Sequence, residues 1–360
     1  MNQDPVRVNQ VHWTRVFPFL RLFKAATLGC RLSAILIAGV AVQVSWNGSN
    51  VICYAMTGSV VDFPTITGPS VTPATISILQ NVPAQLLPRL TDNVLAFASD
   101  CFLMPPSRDA FLSCRLITGS QGYWPAFVLM VWNALNLGFF GTALARLVST
   151  QFCCQSRTGI FASVCYAARH WKETLLAAGL IITILLILRS LLVLAGYVSG
   201  FGFAGQTTVS VLWILIELTG VGLVLGFLVG GAAWLLSPAA TGVDGCSGAE
   251  SVSRCISYCL SHPLLLLIGL ATITALAFTV RKLCEALLIA GSTALPPALK
   301  AQDPDDVRQI GMYVMAQIPE AVHLAVFLAG TTILYILLRQ REDGISTDEI
   351  DGAVSPRRTT

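Results

Sequence analysis

The chain has 360 residues; 54% are hydrophobic, 11% are charged, the net charge is +3 and the mean hydropathy is +0.71. A soluble domain carries about a quarter charged residues and needs polar surface to cover its core, so this composition excludes a soluble enzyme, a nucleic-acid binder and a disordered chain. What remains is a polytopic membrane protein, and its long apolar runs predict an all-α transmembrane bundle.

The first 24 residues contain Arg7, Arg15, Arg21 and Lys24 and no small-residue cleavage site, so the first span is expected to be a retained anchor. From Val11 to Lys24, aromatic and leucine side chains mix with Arg15, Arg21 and Lys24. That mixture suits a segment lying against the inner leaflet, with Pro18 as an elbow. Six spans are predicted, over about residues 25–46, 122–149, 175–203, 209–236, 263–292 and 311–338, since a span needs ~20 apolar residues. The division is therefore an interfacial segment (1–24), one six-helix transmembrane domain (25–338) and a polar, flexible tail (339–360).

The loop over 47–120 is rich in Thr, Ser, Pro and Gly, then runs apolar between Ile76 and Leu90 with breaks at Pro83 and Pro88. It reads as short helices on the outer surface. Cys53, Cys101 and Cys114 fall in it, and a Cys101–Cys114 bridge is one pairing that an oxidising compartment would allow. Three small, partly buried hydrophobes are the alternative.

Cations near span ends favour the cytoplasmic side. With the N-terminus inside, fourteen of the 22 Lys and Arg residues fall on inner segments and five (Arg89, Arg108, Arg115, Lys300 and Arg308) on outer ones. This predicts both termini in the cytoplasm of a cell that places the protein in its inner membrane, and an even number of spans.

A repeat is visible in the second half. Ser163-Val164-Cys165-Tyr166 through Leu180 matches Ser253-Arg254-Cys255-Ile256 through Leu270. Each unit reads as an inward span, a cytoplasmic amphipathic helix and an outward span. Both have the same orientation, unlike the inverted repeats of alternating-access transporters. The stretch Leu137-Gly138-Phe139-Phe140-Gly141 through Leu147, then Phe161 to Trp171 and Leu175 onward, resembles bacterial integral membrane proteins, and with the Phe-rich N-terminal segment and the acidic tail Thr347-Asp348-Glu349-Ile350-Asp351 the chain is most similar to six-span proteins of planctomycetes. It is more loosely similar to the YciC-like family and to the membrane domain attached to some glycerophosphodiester phosphodiesterases. The resemblance implies a six-span helical bundle and transfers no catalytic residue.

Ionisable groups at membrane depth are the candidates for function. Arg189 in span three, Glu217 in span four, and Arg281, Lys282 and Glu285 in span five all fall in the outer half. One reading is an outward-facing polar cavity that binds an anionic headgroup or solute. The other pairs Arg189 with Glu217 and Arg281 with Glu285, the latter at i, i+4 spacing, and lets Lys282 reach the interface. The glycines of span four, from Gly220 to Gly231, predict a small face for close helix packing. Cys255 and Cys259 share a helix face, but no Cys-x-x-Cys pair accompanies them, and no metal or cofactor is expected. Hydrolase, zinc-protease and phosphate-loop motifs are absent from the sequence. The expectation is a non-enzymatic protein with a structural or membrane-organising role, with a small-solute or lipid transporter as the alternative. Its partners would be membrane lipids and not nucleic acid, with self-association or another membrane protein left open.

Overall fold

The computed structural model describes residues 18–57, 123–153, 159–293 and 305–344, and within them every element is helical. Cys101 and Cys114 lie outside the described residues, as does almost all of the outer loop. A 3-10 turn, Pro18–Phe23, leads into α1, Lys24–Gly29. Then follow α2, Leu32–Thr57, α3, Tyr123–Cys153, and α4, Ile160–Ser199. The short α5, Gly202–Val211, precedes α6, Trp213–Asp244. The chain ends with α7, Gly248–Ser261, α8, Pro263–Thr293, and α9, Asp305–Asp343. Five of these (α2, α4, α6, α8 and α9) are long and apolar enough to cross a membrane, and α3, in the place of the predicted second span, is a further helix of 31 residues. The chain is an all-α polytopic bundle.

Boundaries follow local chemistry. Pro263 opens α8, where a missing N–H costs nothing. Gly245 closes α6 at φ 65, the left-handed conformation that glycine reaches without a Cβ penalty, and its N–H returns to the Thr241 carbonyl at 3.0 Å. Gly202, at φ 69, turns the chain between α4 and α5 in the same way.

Four elements differ from the sequence expectation. Span four, expected over 209–236, is broken at Leu212 between α5 and α6, and α6 runs on to Asp244. The first span is not one helix from residue 25: α1 stops at Gly29 and α2 starts at Leu32. A Cβ on Gly29 would lie 2.6 Å from the Val326 Cα, so this end of α1 is pressed against the backbone of α9 and the chain turns there. The first amphipathic helix of the repeat is continuous with span three in the 40-residue α4. Its counterpart α7 is separate from span five, because Pro263 follows His262 and has no equivalent between Trp171 and Leu175. Finally, α9 continues to Asp343, five residues into the polar tail.

The core is organised around α9. Ile333, Leu334, Tyr335, Ile336 and Leu338 are each at most 1% exposed. A helix buried on all sides lies in the middle of a bundle, and α1, α2, α3, α6 and α8 pack around it. Glycines set the close approaches: a Cβ on Gly330 would meet Ile273 at 2.5 Å, and one on Gly242 would meet Ala145 at 2.6 Å. Several polar side chains in the core bond locally or across helices. Thr142 and Thr174 share a 3.1 Å bond between α3 and α4, and the Trp132 indole N–H donates to the Ser45 carbonyl of α2 at 3.3 Å.

By contrast, the C-terminal half of α4 and the N-terminal half of α6 are largely exposed. Of the most apolar 18-residue stretches, 17% of that in α4 and 11% of that in α6 is buried, against 89% in α9. With α5 these two helices form an arm that leaves the bundle.

Candidate functional site

Two polar clusters are built, one between α8 and α9 and one where α6, α7 and α9 meet. The first contains the residues picked from sequence on α8. The Arg281 Nε donates to Glu285 at 2.9 Å and the Lys282 ammonium to the other oxygen of Glu285 at 2.6 Å. Arg281 also pairs through Nη2 with Glu320 of α9. Lys282 lies 5.7 Å from the centre of the Phe278 ring. Two cations thus meet two carboxylates, and the cluster is neutral. Glu320 comes from the opposing helix and carried no local sequence signal. His323, three residues along the same helix, has a buried Nδ1 with no hydrogen-bond partner among the described residues.

Arg189 and Glu217 are not part of this cluster. Both are exposed, and neither makes a hydrogen bond or ion pair among the described residues. Helix register explains why. A Cβ on Gly226 would lie 3.5 Å from Leu185 and 3.7 Å from Leu188, and one on Gly230 would lie 2.9 Å from Ile181, so these positions face α4. Glu217 is nine residues before Gly226, about two and a half turns, and so faces away from α4. In the same antiparallel register Arg189 is level with residue 222, about five residues or ~8 Å along the axis from Glu217.

The second cluster lies at the opposite end of the bundle and was not visible in the sequence. Asp244, the last residue of α6, has a side chain only 7% exposed. It accepts a 2.6 Å bond from the Tyr335 hydroxyl, a bond from Arg339 Nη1, and a longer 3.4 Å bond from Arg254 Nη1 of α7. Around it, Arg254 also binds Glu250 at 2.6 Å, the Tyr258 hydroxyl donates to Asp343 at 2.7 Å, and the Tyr258 and Tyr335 rings are 5.8 Å apart. Ser261 donates to Glu342 at 3.0 Å, with His262 beside the same carboxylate. The first turn of α7 is held from α4, where Glu173 accepts the Gly248 N–H at 2.8 Å. A carboxylate is favoured at that position, because a helix N-terminus presents free N–H groups and partial positive charge. A Cβ on Gly248 would come within 2.3 Å of the Glu173 carbonyl oxygen, so only glycine permits this approach.

The same end gathers the N-terminal cations. Arg21 donates to Gln340, Arg31 donates to Gln151 at 2.8 Å, and Lys24 sits over the Phe152 ring. Arg146 stacks on Tyr166, whose hydroxyl donates to the Thr241 carbonyl. Thus residues 21–31 and the ends of α3, α6 and α9 meet, with α7 laid across them.

Cys246, Cys255 and Cys259 are buried beside this cluster. Burial pushes the Cys246 and Cys259 thiols up to about 11, and pushes Cys255 up as well. They are protonated small hydrophobes at neutral pH, poor as nucleophiles and unprepared as metal ligands. Among the described residues no group of three or more His, Cys, Asp or Glu side chains could hold a metal ion. No family model matches the chain, and neither the curated proteins nor the solved structures include a significant match.

Proposed function

We propose that the chain is a six-span protein of the cell inner membrane, with both termini in the cytoplasm, whose role is structural and membrane-organising. The observation that carries this reading is the use made of the charges. Arg281, Lys282, Glu285 and Glu320 neutralise one another between α8 and α9. Asp244, Arg254, Arg339 and Asp343 join α7 to the ends of α6 and α9. Side chains consumed in this way fasten helices and do not stand ready to receive a solute or to move a proton. The orientation is supported by Arg21, Lys24, Arg31, Arg146, Arg254 and Arg339 meeting at one end, which the excess of cations on inner segments assigns to the cytoplasm.

The test is to substitute Arg281→Met, then to add Glu320→Met. Removing one partner of a buried pair leaves an uncompensated charge, whereas removing both is much less costly. The single variant is expected to lose abundance and resistance to unfolding, and the double variant to recover part of both. Full stability of Arg281→Met, together with lost binding of a lipid or solute, would refute the structural role.

One observation favours the transporter or lipid-binding alternative: the unpartnered Nδ1 of His323 lies on the same helix as Glu320. On that reading, chain reconstituted in vesicles would move an anionic solute or phospholipid, and His323→Leu would abolish the movement without lowering stability. The structural reading expects no movement from either chain.

A further inference from the structure

The exposed arm carries two charges that have no partner among the described residues. Arg189 on α4 and Glu217 on α6 have opposite sign, occur on adjacent helices, and are both exposed where their neighbours are apolar. Leu186 and Val193 flank Arg189 on its face of α4, and Val221, Val224 and Leu228 continue the face of Glu217 on α6; each is between 48% and 60% exposed. Hydrocarbon solvates such apolar side chains well and ion-forming side chains poorly. The arm therefore needs an occupant that supplies a carboxylate to Arg189 and a cation to Glu217.

A second copy supplies both. We infer that the protein self-associates through the α4–α6 arm, with Arg189 of each copy paired to Glu217 of the other. A two-fold pair brings the same patch of each subunit together, so one Arg and one Glu per chain give two equivalent ion pairs. The ~8 Å axial offset between the two positions is within the combined length of extended Arg and Glu side chains. Facing, and not distance, prevents the pair within one chain, and a neighbouring arm removes that obstacle. The small positions agree. Gly226 and Gly230 are filled by α4, whereas a Cβ on Gly196, Gly220 or Gly222 would meet nothing within 4 Å. These three leave room for the close approach of another helix. The inference rests on the structural reading above and extends it by naming the partner.

The test uses charge exchange between full-length chains. Two differently tagged copies are co-expressed, purified and reconstituted in phosphatidylethanolamine–phosphatidylglycerol vesicles at low density, and association is read by energy transfer. Wild-type chains are expected to associate. Arg189→Glu leaves two acidic positions per chain and Glu217→Arg leaves two basic ones, so each variant alone should associate at least tenfold more weakly. Mixed together, the two variants restore both ion pairs and should associate with each other. Pairing within a chain cannot give that result. Monomeric wild type, unimpaired single variants, or failure of the mixture to recover would each overturn the inference, with helix content confirming that the variants fold.

A second measurement avoids charge changes. A photoreactive residue at Val193 should give an adduct of twice the chain's mass. Adducts only with lipid, or only with residues 58–122 of the same chain, would overturn the inference by identifying another occupant. A monomer in which Arg281→Met still destabilises and Glu320→Met still rescues would leave the structural role standing. Solute movement by an intact dimer would do the opposite.

Discussion

Asp244 gives the most direct test of how the bundle is fastened. Its side chain is 7% exposed and that of Arg339 is 12% exposed. Asp244→Asn keeps the shape and an acceptor for the Tyr335 hydroxyl, but removes the negative charge facing Arg339. Uncompensated buried charges cost about 3–5 kcal/mol when one partner of a pair is removed. Two features reduce that cost here. Asp343 lies 3.9 Å from the Arg339 Nε and takes up part of the charge, and Arg254 has Glu250 as its own partner at 2.6 Å. We therefore expect Asp244→Asn to cost about 2–3 kcal/mol. Asp244→Ala also leaves the Tyr335 hydroxyl without its acceptor and should cost about 1 kcal/mol more. The measurement is reversible unfolding in mixed micelles, with helix content and the fluorescence of Trp234, buried in the same part of α6, as probes. Combining Asp244→Asn with Arg339→Gln in a double-mutant cycle should give a coupling of at least ~1 kcal/mol. A cost below about 0.5 kcal/mol for Asp244→Asn, the range of ordinary surface substitutions, would refute the fastening role. So would a coupling of zero.

Three further outcomes follow from the packing, the thiols and the charge distribution. Gly29→Ala should destabilise by about 1–3 kcal/mol, the cost of overpacking, because its Cβ would meet the Val326 backbone. In the same unfolding assay Gly179→Ala, where a Cβ meets nothing within 4 Å, should be neutral or stabilising by up to about 1 kcal/mol. Cys246 and Cys259 should resist alkylation in the folded protein. With both thiols pushed up to about 11, roughly one in a thousand is thiolate at pH 8, and labelling should accelerate about tenfold per pH unit from 8 to 10 without levelling. A plateau near pH 9, read by mass spectrometry, would contradict the burial. Reporter fusions after Asp92 should register outside, and fusions after Thr158 or Ser247 inside; the reverse pattern would overturn the orientation drawn from the cations.

Much of the architecture is a property of the chain read locally. Span five was expected over 263–292 and α8 covers Pro263–Thr293, because Pro263 and a long apolar run define a helix without reference to neighbours. The Arg281–Glu285 pair was legible for the same reason, since i, i+4 spacing places both side chains on one helix face. Glu320 was not, because it joins that pair only through the packing of α8 on α9. The Asp244 cluster was hidden more completely. In sequence, Asp244 is an ordinary acidic residue after a span, and Tyr335 and Arg339 follow 91 and 95 positions later. The alternative that paired Arg189 with Glu217 assumed that charges at similar depth on successive helices would meet. The register fixed by Ile181, Leu185 and Leu188 against Gly226 and Gly230 sends Glu217 to the far side.

The scarcity of charge, by itself, determined that this chain lives in a membrane, since backbone groups in lipid must be satisfied within helices or closed sheets and the apolar runs are of helical span length. Composition and spacing also located the apolar cores of the spans and the cations that collect between them. Tertiary structure alone decided which charges meet between helices. Side-chain pairing between helices depends on rotation and axial register, and these are fixed by small residues at the crossings, such as Gly29, Gly242 and Gly330. It also decided that the apolar part of α9 is enclosed while the α4–α6 arm is not, although both are apolar enough to cross a membrane. Hydrophobicity makes a helix soluble in the bilayer, but only the fit of its surface to a neighbour determines whether lipid or protein covers it.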